Sequence, residues 1–389
     1  MSKERLFTVG ITVYNNESYL YEVLDSIFMQ TYPNIEIVIS DDGSKKFDKD
    51  KYEEYIAKHK GENVTNYIIC QQQVNVGTVK NANFILSKAK GEYFMFIAAD
   101  DTFYDKHVLQ RFANEFEKKG ENCRILSASV AMCTENVNEV LNVAPGYSAI
   151  EFIKKSSSEE MFVRLANEYT VPAGGSCYRR KLFEELNNYD EEYKLIEDGP
   201  FFIRMARLGY QFYWIDDMVA TRHRDGGISH GNRNNGSKTY QKYVEDEMLF
   251  FEKEVIPYKE RIPSDKFYIS MQKYDYLKKQ YYDMFIKQQK TFFERIRYLK
   301  KQGWLKTILK QSIKNTVRCL YNCLKLVYYN LPKLSIGLVV LFFLARELKI
   351  GIALQLGVMS MITVGSWLIL KMLSILRYIF AICKRGGRI

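Results

Sequence analysis

The chain lacks most of the short signatures that assign a chemistry at a glance. Its seven cysteines are odd in number and scattered, with no C-x-x-C pair. Cys319 and Cys323 stand four apart without a histidine or cysteine cluster beside them. No disulfide framework follows from such spacing, and all seven read as reduced residues of a cytosolic compartment. No G-x-G-x-x-G occurs, which argues against a dinucleotide cofactor. Residues 231–239 read G-N-R-N-N-G-S-K-T, close to a phosphate-cradling loop. A serine precedes the lysine, however, and no strong strand leads in, so a nucleoside triphosphate site is rejected. Residues 1–6 are charged and the next apolar stretch is only strand-length. No secretory leader is read there, and the N-terminal domain is expected in the cytoplasm.

What is present divides into two materials. The formal net charge is +10 over 389 residues, but residues 278–333 hold fourteen lysines and arginines against Asp283 and Glu294. The rest of the chain is slightly acidic. A basic segment beside a hydrophobic tail points to anionic lipid rather than nucleic acid. Residues 350–370 carry no charge, and as a helix they extend about 31 Å, the thickness of a bilayer core. Residues 334–345 are also apolar but too short to cross alone unless the helix begins near Leu326 and kinks at Pro332. Basic residues on both sides favour a hairpin, transmembrane or re-entrant, with both ends cytoplasmic. Just before it, Lys306, Lys310, Lys314 and Arg318 form a stripe opposite Leu305, Ile308, Leu309, Ile313 and Val317. That is the pattern of a helix lying in the lipid interface.

The first half alternates strand and helix patterns. Strands are read at 7–14, 35–40, 67–70 and 93–97, and helices at 18–30, 52–60 and 78–90. Apolar-continuous strands separated by helices imply an α/β fold with a mostly parallel sheet covered on both faces. Beyond residue 125 the pattern is less regular, with strands at 125–133, 174–178 and 210–215 and a helix at 197–208 closed by Gly209. A Gly/Asn/Ser-rich stretch, 226–236, reads as a loop or lid. The domain plan is a catalytic domain at 1–235, a helical basic membrane-interface region at 236–330, the hairpin at 331–383 and a basic tail at 384–389.

Three acidic elements punctuate this pattern: Asp41-Asp42 after the second strand, Asp100-Asp101 after the fourth, and Glu197-Asp198 opening a helix. Each has an ordinary explanation as a turn or helix start. Paired acids at the strand ends of an open α/β sheet also sit where ligands bind, and there they invite a divalent cation. The ordered series Val9 to Asn15, Ser26 to Tyr32, Asp41-Asp42-Gly43-Ser44, Asn75-Val76-Gly77, Gly91-Glu92-Tyr93, Asp100-Asp101, Glu197-Asp198 and Arg222 to Ser229 resembles the family 2 glycosyltransferases of the GT-A fold. The resemblance covers roughly the first 230 residues. It implies that Thr12, Tyr14 and Asn15 with Asp41 and Asp42 hold the base and ribose of a nucleotide sugar, UDP being the nucleotide most expected. It places Lys80 near the diphosphate or sugar. Asp100 and Asp101 match the acids of the D-x-D element, which hold Mg²⁺ or Mn²⁺, and Asp198 matches the general base, with Glu197 beside it.

Two departures stand out. The place two before Asp100, where the family has its first metal-motif acid, is Ala98. In Arg222-His223-Arg224 the expected histidine slot is displaced by one, leaving open whether His223 or Arg224 faces the diphosphate. His223 joins Asp100 and Asp101 as a candidate metal ligand, and Gly174, Gly175 and Ser176 are candidate acceptor contacts. The resulting expectation is an inverting, metal-dependent enzyme held at the cell membrane with its catalytic domain cytoplasmic. It would move one sugar from a nucleotide diphospho-sugar to a lipid-linked saccharide of a capsule or O-antigen, with anionic lipid and no nucleic acid among its partners. The polymerising relatives' Q-x-x-R-W element is not seen. The alternatives are transfer to polyprenyl phosphate itself and a silent, membrane-tethered nucleotide-sugar binding protein.

Overall fold

The apolar runs become strands of one nine-stranded sheet in the computed structural model, which describes residues 4–225, 237–287, 291–305, 307–308, 315–319 and 321–322. In chain order the first half is β1 (Phe7–Val13), α1 (Leu20–Phe28), β2 (Ile35–Asp41), α2 (Lys49–His59), β3 (Val64–Gln71), α3 (Thr78–Lys88) and β4 (Tyr93–Ala98). Then follow β5 (Thr102–Phe103), α4 (Val108–Lys119), β6 (Ile125–Cys133), β7 (Val140–Ala144), α5 (Tyr147–Lys155), α6 (Ser158–Leu165), β8 (Ser176–Arg179) and α7 (Lys181–Glu185). The last elements are α8 (Asp198–Arg207), β9 (Tyr213–Arg224), α9 (Lys238–Phe250), α10 (Ser264–Tyr281) and α11 (Phe292–Lys301).

The strand order is β3-β2-β1-β4-β8-β6-β9-β5, with β7 paired to β6. From β3 to β4 every pairing is parallel. β8 runs antiparallel to both of its neighbours, and β6 and β9 are parallel again. By paired length the sheet is mostly parallel, and helices flank it. The chain leaves β1 for β2 and β3 on one side and returns to β4 on the other. This reversal opens a crevice at the C-terminal ends of β1 and β4, where open α/β sheets take their ligands.

Helical spacing explains the two covering layers. Leu20, Val23, Leu24 and Ile27 are the buried face of α1, and Val108, Leu109, Phe112 and Phe116 that of α4. The α4 pattern was present in the sequence but not read as a helix; β7, α5 and α6 were likewise unread. β9 extends to twelve residues, well beyond the strand expected at 210–215. That extension carries the chain to the sheet's functional edge.

The domain plan changes at one boundary. α9 to α11 do not form a separate region beginning at 236, because the first compact unit runs from Met1 to Trp304 and the second from Leu305 to Ile389. Tyr240, Val244 and Met248 of α9 share one buried core with Phe201, Phe202 and Ile203 of α8 and Tyr274 of α10. Each such side chain contributes about 1.5–3 kcal/mol of burial, so these helices belong to the fold of the sheet. The segment 226–236, most of the 231–239 loop, the hairpin at 331–383 and the tail at 384–389 lie outside the described residues. So do Lys306, Lys310 and Lys314 of the expected interfacial stripe. Among the described residues no helix is long and apolar enough to cross a membrane, and Cys70, Cys123, Cys133, Cys177 and Cys319 are free thiols.

Candidate active site

The first wall of the crevice is the end of β1. Thr12 sits in register between Ser40 and Ala98, and Tyr14 and Asn15 beyond it are exposed. Asn15 turns the chain with a left-handed φ of 52°, and its N–H donates to Ser44 Oγ at 2.8 Å. Asparagine tolerates this region because its short amide can bond locally. The next residue, Asn16, reaches across to donate to Asp100 Oδ1 at 3.2 Å.

Asp41 and Asp42 are both buried and both employed by backbone. The Asp41 carboxylate accepts the N–H groups of Gly43 (3.1 Å) and Ser44 (3.0 Å). Asp42 accepts those of Val76 (2.7 Å) and Gly77 (3.0 Å), together with the Asn75 amide at 2.8 Å. Burial lifts the Asp42 carboxyl above its ordinary range, against the lowering effect of these donors. The pair thus shapes the loops around the crevice, and its contact with a nucleotide would be made through the walls it holds. Lys80 stands exposed on the first turns of α3.

The next corner gathers Asp100, Asp101 and the end of β9. Nδ1 of His223 lies 3.0 Å from both oxygens of the buried Asp101 carboxylate, which also accepts the Arg224 N–H at 3.2 Å. Strand alternation sends the two side chains to opposite faces: His223 points to Asp101, and Arg224 away from it. There the Arg224 guanidinium bonds Glu22 Oε2 at 2.7 Å and the Asp100 carbonyl at 3.1 Å, and lies 4.1 Å over the Tyr19 ring. Burial and then the Asp101 charge raise the Asp100 carboxyl, with Asn16 opposing them. Burial works against a charged His223, but the bond to Asp101 and the charges of Asp101, Asp100 and Asp225 raise its proton affinity on balance.

Of the three expected ligands, Asp101 and His223 are bonded to each other. Among the described residues no group of three His, Cys, Asp or Glu side chains is arranged to hold an ion. Asp101 is committed to His223 and the Arg224 N–H. Asp100 still fits a divalent cation as a single protein carboxylate, because it is crowded by a second negative charge and held by one neutral amide. Mg²⁺ is ordinarily bound by one or two carboxylates plus substrate phosphates.

Glu197 and Asp198 open α8 and keep partial access to solvent. Asp198 Oδ1 accepts the adjacent Gly199 N–H at 2.7 Å. Burial raises both carboxyls, and the neighbouring Asp198 charge raises Glu197 further. The approach to the pair is tightly built. Lys194 O accepts the Val79 N–H at 3.3 Å, and a Cβ at Gly77 would stand 2.8 Å from it. Only glycine fits there, at a φ of 95°. After the pair, the Tyr169 ring lies against Gly199, where a Cβ would stand 2.9 Å away.

The expected acceptor contacts are mostly closed off. Ser176 is fully buried and bonded to Ser127 Oγ (2.9 Å) and the Pro172 carbonyl (2.8 Å). Gly175 is packed so tightly that a Cβ would stand 2.2 Å from the Ala128 carbonyl. The cause is β8, inserted between β4 and β6, which makes this segment interior. Gly174 alone retains partial access, its carbonyl accepting the Thr221 hydroxyl at 2.8 Å. Sequence reading missed Asn16, Glu22, Tyr169 and Asp246. Asn16 adjoins a residue that was singled out and could have been found; the others act across long separations.

Residues 8–187 match the family model described as Glycosyl transferase family 2. An uncharacterised glycosyltransferase of Rickettsia typhi is 24% identical over 220 residues, covering 57% of this chain and 64% of that protein. The glycosyltransferase GlyA of Streptococcus pneumoniae is 27% identical over 230 residues, covering 57% and 31%. The chain therefore spans less than two thirds of the length of these relatives. The crystal structure of residues 1–349 of S. aureus TarS is 17% identical, with a TM-score of 0.49, covering 78% of this chain and 81% of that one. Residues 8–187, rather less than half of the chain, are thus the part similar to the glycosyl transferase family 2 domain.

Proposed function

We propose that the chain is an inverting glycosyltransferase that moves one sugar from a nucleoside diphospho-sugar, a UDP-sugar first among them, to a hydroxyl of a lipid-linked saccharide. The observation that carries this reading is the Glu197-Asp198 pair at the start of α8, crowded by the fold and raised in proton affinity. A carboxylate of raised basicity suits general-base work. As the acceptor oxygen bonds to the anomeric carbon, its proton passes to Asp198. The bond from that carbon to the diphosphate breaks, and its electron pair leaves with the nucleoside diphosphate. Attack opposite the leaving group inverts the anomeric centre.

Burial and the neighbouring Asp198 charge push the Glu197 carboxyl up to about 8; in this reading the proton shared by the crowded pair resides on Glu197, and Asp198 is the carboxylate that serves as base. Tyr14 and Asn15 offer exposed contacts for the nucleoside, and Lys80 a cation for the diphosphate. Asp100 would hold Mg²⁺ or Mn²⁺, with His223 beside it steadied by Asp101. Such an ion supplies electrostatic stabilisation of the departing diphosphate. The uncharged run 350–370 and the basic stretch 278–333 support a membrane location near a lipid-linked acceptor.

The test uses the full chain in membranes with a panel of UDP-, dTDP- and GDP-sugars, measuring nucleoside diphosphate release. Release that requires Asp198 supports the reading. Equal release by wild type and Asp198→Asn would sink it.

A further inference from the structure

Asp246 lies in α9, beyond the last element of the family pattern, and its side chain has an unusual task. It is 2% exposed, and its Oδ2 accepts three consecutive backbone N–H groups: Lys194 at 2.8 Å, Leu195 at 2.6 Å and Ile196 at 3.2 Å. The next two residues are Glu197 and Asp198. The neighbouring Glu247 accepts the Tyr169 hydroxyl, whose ring covers Gly199 on the far side of the pair. Adjacent carboxylates of α9 therefore fix the chain on both flanks of the two acids. The helix itself is anchored by burial of Tyr240, Val244 and Met248, so the clamp has a firm base.

We infer that Asp246 is a positioning residue for the Glu197-Asp198 pair, setting the reach of the base through the backbone of 194–196. This rests on the reading of Asp198 as the base. The physical reason for a carboxylate is that three converging N–H donors need a concentrated negative acceptor. Charge-assisted bonds of this kind are about twice as strong as neutral ones. A neutral amide can accept at one oxygen but weakly, and a methyl group leaves all three donors unpaired in a buried place. The same clamp presses Lys194 O against Gly77 and Val79, the loop that Asp42 holds from the other side. Asp42 holds that loop on its own through the Val76 and Gly77 N–H groups, so the nucleotide side keeps its support when the Asp246 clamp is loosened.

The test compares Asp246→Ala and Asp246→Asn with wild type and Asp198→Asn in the full chain, using donor turnover, UDP binding and amide hydrogen exchange. Asp246→Ala should lower kcat on the order of 10²-fold, the effect of an ångström-scale misplacement, while the donor KM and UDP affinity change less than about two-fold. Asp246→Asn, which keeps one acceptor, should recover part of that loss and serves alone if the alanine variant fails to fold. Exchange at the amides of 194–196 should quicken in both variants. Unchanged kcat in both variants, or kcat and UDP affinity falling together, would overturn the inference. If Asp198→Asn retains full turnover, the base assignment itself falls. If Asp198→Asn is inactive and the Asp246 variants are not impaired, only the positioning role falls.

Discussion

Asp100-Asp101 and Glu197-Asp198 are both neighbouring carboxyl pairs placed in poorly solvated corners, yet the fold surrounds them differently. Around the first it brings donors: Asn16 to Asp100, and His223 and the Arg224 N–H to Asp101. Around the second no side-chain donor is seen among the described residues; the Gly199 N–H bonds Asp198, and three backbone N–H groups are gathered one step back, on Asp246. The first corner answers crowded negative charge with partial positive charge and leaves one carboxylate for a cation. On the proposed reading, the second answers it with a proton, held on Glu197 while Asp198 serves as base. Two like pairs with opposite compensation suit the proposed transfer, in which one end would stabilise a leaving anion and the other would receive a proton.

The sharpest way to break this contrast is at the second pair. Asp198→Asn should reduce turnover by about 10²- to 10⁴-fold, the worth of a positioned base, with UDP affinity preserved in a binding titration. Glu197→Gln should keep most activity at neutral pH, because glutamine resembles the protonated acid. The sign follows from the raised proton affinities. Turnover should rise with pH through a value above the ordinary carboxylate range as Asp198 ionises. It should fall above about 8, where Glu197 ionises and repels the donor diphosphate. In Glu197→Gln that alkaline limb should disappear. A limb at the same place in the variant would remove Glu197 from the account.

At the first pair the effects should be smaller and should depend on the ion. Asp100→Asn should cost on the order of 10²-fold in kcat/KM, measured at saturating Mn²⁺ and again after chelation. Full activity of wild type in EDTA would exclude the metal role of Asp100. His223→Ala should cost about 10- to 100-fold, the range for groups that steady a metal site, and raise the Mn²⁺ concentration needed for half-activity. If His223→Ala leaves that concentration unchanged, His223 serves the packing of β9 alone.

The difference between the corners also explains what a reader of the sequence can and cannot find. Asp41, Asp42 and Asp100 are legible because a β-forming run that ends on acids must deliver them to the sheet edge. Asp198 is legible because it opens a helix of clear periodicity. The choice between His223 and Arg224 was not, since one residue of register inverts the face, and β9's true length appears only once it pairs with β6. Ser176 was misread because its burial comes from β8 entering between β4 and β6. Asp246 was invisible for a deeper reason: its partners are backbone amides, which carry no residue identity, some fifty positions away.

The mildest prediction concerns Lys80. It is exposed on α3, on the turn that follows the Asn75-Val76-Gly77 loop braced by Asp42. A donor diphosphate lying over the ends of β1 and β4 would feel the ammonium across partly solvated space, where screening limits its worth. Lys80→Gln should therefore raise the donor KM only a few-fold, roughly the effect of one exposed charge pair, with kcat and thermal stability unchanged. Because the attraction is Coulombic, the gap between variant and wild type should shrink as salt is raised from 50 to 500 mM, the Debye length falling to a few ångströms at the upper end. A KM gap that survives high salt would mean a direct, desolvated contact with the phosphates, and Lys80 would then join Asp100 in stabilising the leaving group.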